Sequence, residues 1–196
     1  RQPDPQVREV GSLSWDNQTI PQTAIPFTRD GRPYLLEIDE YSSNGGNSPL
    51  PAFHGTTVGA GRIIDISDET APVVISNLRL DVHETANRAL IGGAPGAQLL
   101  APGYAGHYCN LPTRVDPDIV ACSMIVSGLR IFDIRDPFNP REVAYFNAPV
   151  KPRLTPVLEA SNWAMSSPSF VPERKEIWYT DGYAGFYVVR VTNGAW

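Results

Sequence analysis

The side chains best suited to chemistry are three histidines, His54, His83 and His107, and two carboxylates two residues apart, Glu37 and Asp39. Alternation along a strand places Glu37 and Asp39 on one face. Paired acids can relay protons or hold calcium through their oxygens. Imidazoles joined by carboxylates bind divalent transition metals. If the segments that carry them converge, these five residues make a metal centre. The intervals between the histidines fit no local ligand motif of the His-x-x-x-His kind. The plainer expectation is therefore favoured: imidazoles that satisfy backbone groups where structural units meet, and acids at a solvated strand end. No Gly-x-Ser-x-Gly elbow, P-loop or Gly-x-Gly-x-x-Gly run is present. No residue is assigned as catalytic, and a divalent metal is the one cofactor these residue types suggest.

Cys109 and Cys122 are the only cysteines. Two cysteines cannot complete a four-ligand zinc site without His or carboxylate help. Their spacing suits two neighbouring antiparallel strands joined by a loop. They form either a disulfide or two buried thiols. Nucleophilic chemistry at Cys109, close to His107, would need an activated thiolate.

The elements that must position these groups are short. Among 196 residues there are 16 Gly and 19 Pro, scattered throughout, and no long Ala/Leu/Glu/Lys run. That excludes a helical bundle and favours many strands joined by turns. Hydrophobic residues make up 42%, enough for a core, so bulk disorder is excluded. A formal charge of −5 argues against a nucleic-acid partner. No apolar stretch is long enough to span a bilayer as a helix.

The chain repeats itself. Arg62-Ile63-Ile64-Asp65-Ile66-Ser67-Asp68 and Arg130-Ile131-Phe132-Asp133-Ile134-Arg135-Asp136 agree at Arg, Ile, Asp, Ile and Asp, at an offset of 68. Each is followed four residues on by a proline, Pro72 or Pro140. Gly185 to Val191 parallels Gly128 to Ile134, with Arg190 in place of the aspartate, and Arg8-Glu9-Val10 echoes Arg141-Glu142-Val143. The apolar β-branched residues make an interior strand. Asp68 or Asp136 then starts a turn through its side chain, and proline forbids continuation, so the chain reverses. Asp65 and Asp133, copied from unit to unit, read as structural. Arg62 and Arg130 share a repeat position that suits pairing with carboxylates between units. Trp178 should fill space between units, and Trp163 lies on an expected inner strand.

The run GLRIFDIRDPFNPREVAYF, residues 128–146, resembles the LVIVD repeat, with residues 62–72 and 184–194 as diverged copies. The resemblance implies a β-propeller in which this run is the third strand of a blade and the segment after Pro140 the fourth. It also implies an exported bacterial protein, placed extracellularly, in the periplasm or at the cell surface. In such a compartment the Cys109–Cys122 disulfide is the favoured state.

The expectation is one all-β domain over 1–196, a propeller-like array of about three four-stranded antiparallel blades. Residues 1–15 would be an orphan outer strand (Val7 to Trp15), 16–80 and 81–148 two blades, and 149–196 a last blade lacking its outer strand. Its inner strand is expected at 161–166. Propellers use about four to eight blades, so the chain is expected to be the C-terminal part of a longer propeller, or a partial ring that a protein partner or a second copy completes. The leading functional expectation is a non-catalytic scaffold that binds through its loops. The alternatives are a metal-assisted hydrolase or oxidase at the channel mouth, and a structural subunit of a larger assembly.

Overall fold

Short β-branched and aromatic runs, punctuated by Gly, Pro and Asp, do form strands. The computed structural model describes residues 6–15, 20–40, 59–84, 86–87, 90, 94, 103–152 and 160–196. Among these residues the strands make three antiparallel sheets, each a meander. The first sheet is β1 (Ile20–Arg29), β2 (Arg32–Glu40), β3 (Gly61–Asp65) and β4 (Val73–Leu78). The second is β5 (Tyr108–Asn110), β6 (Ile119–Ser123), β7 (Leu129–Asp133) and β8 (Arg141–Phe146). The third is β9 (Ser169–Val171), β10 (Glu176–Asp181) and β11 (Gly185–Arg190). No helix among the described residues is long and apolar enough to cross a membrane.

Alternation along each strand decides which sheet it meets. Val120, Cys122 and Phe132 of the second sheet join Leu36, Ile38 and Ile63 of the first in one core. The intervening residues Ile119, Ala121, Leu129 and Ile131 join Ile177 and Tyr179 of the third sheet in another. Both faces of the second sheet are covered, so all five residues of β6 are buried. A strand buried on both sides must read as a continuous apolar run, and Ile119-Val120-Ala121-Cys122 does.

Residues 68 apart adopt the same local structure. The β3–β4 register slips between Ile63 and Ile64, and the β7–β8 register slips between Ile131 and Phe132. These are bulges at matched positions, each sharpening the local twist. The Asp65 and Asp133 carboxylates accept the amides of Ser67 and Arg135 at 2.9 and 3.0 Å. Asp68 and Asp136 do the same for Thr70 and Phe138. Side-chain hydrogen bonds from Thr70 and Asn139 hold these two carboxyls below the ordinary aspartate range. The amides of Ile66, Ile134 and Val191 reach the carbonyls of Pro33, Asp118 and Lys175 in turn, so the third segment closes as the other two do. Its missing aspartate is replaced across the ladder: Arg190 lies opposite Glu176 and donates to it at 2.8 Å.

Three expectations are corrected. Residues 6–15 form no strand; Val7 and Val10 are exposed, and Gly11 crosses so close to Glu69 that a Cβ would come 2.0 Å from its carbonyl oxygen. The first sheet already has four strands of its own, because β1, unforeseen in the sequence, pairs with β2 across the Asp30–Gly31 turn. Residues 161–166 form no continuous strand either. Ala164 is shared by isolated bridges to Ile125 and Asp181, and the strand proper begins beyond Pro168. Finally, Arg62 and Arg130 pair within their own sheets, with Glu37 and Glu142, and not between sheets. The glycine- and serine-rich stretch from Ser42 to Gly61, which reads in the sequence as an insertion between strands, lies mostly outside the described residues.

Candidate functional site

Glu37 and Asp39 are brought together, and what joins them is an arginine. Arg62 on β3 lies directly opposite Glu37 on β2. Its Nη1 donates to Glu37 Oε2 at 2.6 Å, and its Nη2 lies 2.6 Å from Asp39 Oδ2 in an ion pair angled away from hydrogen-bond geometry. Glu37 is 5% exposed, Asp39 0% and Arg62 3%, so this is a buried triad, not a solvated strand end. The Trp15 ring covers the guanidinium, 4.0 Å away. These residues occupy the face of the first sheet turned away from the second. Residues 11–15 lie over that face and leave a groove of about 460 Å³ beside Trp15 and Glu37.

Two carboxyls against one cation leave a surplus of buried negative charge. Glu37 Oε1 and Asp39 Oδ1 have no hydrogen-bond partner. Burial first, and then the adjoining Asp39 carboxyl, push the Glu37 pKa up to about 8, against the opposing pull of Arg62. One proton held between the two acids neutralises the triad and gives the orphaned oxygens a partner. Because the folded pKa lies above the ordinary 4.5, the folded state holds a proton that the unfolded chain releases between these values. Stability is therefore expected to fall as pH rises from about 4.5 to about 8. Urea melts across that range should show a slope that Glu37→Gln abolishes; an equal slope in the variant would refute this protonation.

The histidines sit elsewhere. His83 is buried in the 3-10 turn Asp81–His83, where its Nδ1 accepts the Leu80 amide at 3.3 Å. Near it, Arg79 is lowered in pKa chiefly by burial and lies 3.8 Å from Glu84. His107 belongs to a network that joins the sheets. Its Nε2 is 3.6 Å from Glu40 Oε2, which also accepts from Gln22 at 2.6 Å, and the Tyr108 hydroxyl donates to Gln22 at 3.1 Å. The His107 Nδ1 contacts the carbonyl of Met165, which precedes the third sheet. Glu40 alternates with Asp39, so this network and the acid triad use opposite faces of β2. His54 lies outside the described residues. Among the described residues, no group of three or more His, Cys, Asp or Glu side chains is placed to hold a metal ion.

Cys109 and Cys122 lie directly opposite each other on β5 and β6 and form a disulfide. Both are fully buried against the first sheet. A sulfur in a disulfide carries no thiolate, so Cys109 offers no nucleophile to His107.

Sequence reasoning missed Trp15 as the cover of Arg62, and it missed the Glu40–His107 network. Alternation paired Glu37 with Asp39, but only the β2–β3 register reveals the arginine between them. A second groove, of about 590 Å³, runs between β8 and the chain after β11; Arg130, Glu142 and Tyr145 form one wall. There Arg130 donates to Glu142 at 2.8 Å beneath the Tyr145 ring. The recurring arginine thus meets a carboxylate and an aromatic ring in both sheets, Trp15 in one and Tyr145 in the other. No protein-family model matches the chain, and no curated protein matches it.

Proposed function

We propose that the chain is a non-catalytic scaffold, a β-propeller-type stack of LVIVD-like units that engages a protein or surface partner through its loops after export. The observation that carries this reading is the constant facing rule. The first sheet lays Ile63 against the second, and the second lays the matching Ile131 against the third. Sheets related by one repeated operation form an arc, and an arc of meandering four-stranded sheets is how a propeller is built. The matched turns and bulges support the same reading, since they assign the repeated aspartates to backbone support. A buried disulfide is in keeping with an oxidising compartment.

The rival reading, a metal-assisted hydrolase or oxidase at the channel mouth, draws on one observation: Glu37 and Asp39 do converge. Arg62 occupies the position a metal would need between them. Elemental analysis of the purified protein, with assays on ester, phosphate and glycoside substrates, separates the two. The scaffold predicts no stoichiometric metal and no turnover. One metal per chain, with turnover that a chelator and Glu37→Gln both abolish, would replace it with the enzyme.

A further inference from the structure

The facing rule continues past the third sheet. Val188 is that sheet's counterpart of Ile63 and Ile131, yet it meets no sheet among the described residues: it is 46% exposed, and Phe186 beside it is 57% exposed. Trp178, opposite Val188 in register, meets Phe186 edge-on at 5.8 Å. Ile177 and Tyr179 point back into the core with the second sheet, so Trp178, Phe186 and Val188 form an apolar strip on the forward face. Soluble proteins seldom leave such a strip facing water unless something docks there.

The complementary surface is on the same chain. Ile64 is the counterpart of Phe132, the residue with which the second sheet packs back against the first. Ile64 lines the 460 Å³ groove on the first sheet's backward face, with Leu13, Ala24, Leu35 and Pro72. On the forward face, Arg174 and Arg190 both reach Glu176.

We propose that the forward face of the third sheet, at Phe186 and Val188, docks in the backward groove of the first sheet of a second copy of this chain, and reciprocally. Two copies then join their six described sheets through two such contacts. The second copy is the occupant because this contact extends the two junctions already inside the chain, forward face to backward face. A forward-to-forward pairing would set Arg174 and Arg190 against themselves. The inference rests on the stacked-sheet reading above and names its partner.

Light scattering at micromolar concentration is the test. The wild type should run at about 43 kDa, twice the 21.5 kDa of one chain. Phe186→Glu puts a charge in the strip, and Ala24→Arg fills the groove that Ala24 lines. Each variant alone should weaken association at least about thirtyfold, with an unchanged thermal melt. Mixed together, they retain one intact junction, so a dimer should reappear that contains one chain of each. A wild-type monomer, open-ended growth with concentration, or a dimer lost in Phe186→Glu but untouched by Ala24→Arg would each overturn the proposal. A monomer that keeps its melt and binds no metal overturns the docking and leaves the scaffold standing.

Discussion

Arg62→Leu is expected to destabilise the protein by about 3–5 kcal/mol at pH 8 and by much less at pH 5. The arginine pairs with two carboxyls that are almost wholly out of solvent. Removing it strands charge that the remaining proton cannot cancel. For a domain of this size the cost corresponds to a fall in melting temperature of roughly 6–20 °C. Acidification rescues the variant because it favours the uncharged form of a buried carboxyl that has lost its cation. Combining Arg62→Leu with Glu37→Gln and Asp39→Asn should recover most of the loss at pH 8, since no charge is then left buried. Guanidinium melts at the two pH values decide the matter. A loss independent of pH would mean that Arg62 acts through its packing under Trp15 and not through charge.

Replacing both Cys109 and Cys122 by alanine is the second large effect, about 3 kcal/mol. The bond joins residues thirteen positions apart and so restricts the unfolded chain. The two sulfurs also face the core shared with the first sheet, so alanine leaves space there as well. A melting point roughly 6–12 °C lower is expected, with reduction of the wild type giving a similar fall. Calorimetry with and without reductant measures it; equal melting points would show that the cross-link contributes nothing.

What could be read from the sequence was what repeats. The offset of 68 marked β3 and β7 and the aspartates that turn the chain after them, because these depend on local chemistry. β1 was missed because Ile20-Pro21-Gln22-Thr23 reads as a loop, while the better signal lay just downstream. Asp30 and Gly31 both adopt positive φ, at 51° and 74°, as a two-residue hairpin turn requires. The N-terminal segment looked like a strand by likeness to Arg141-Glu142-Val143, yet likeness of three residues does not supply an edge to pair with. The candidate site was half legible. Period two joined Glu37 to Asp39, but the arginine between them comes from a strand whose first residue is Gly61, 21 positions beyond the end of β2. Cross-strand register over such a gap depends on the folded sheet and not on local spacing.

The middle sheet bears on how such a chain can lengthen. Its two sides are unlike, one shaped to receive the sheet before it and the other shaped for the sheet after it. A tandem duplication of that segment in the gene would therefore place new material between old without inventing any contact. Substitutions on either side of it are constrained by a neighbour within the chain. Copying of such a unit should therefore enlarge the centre.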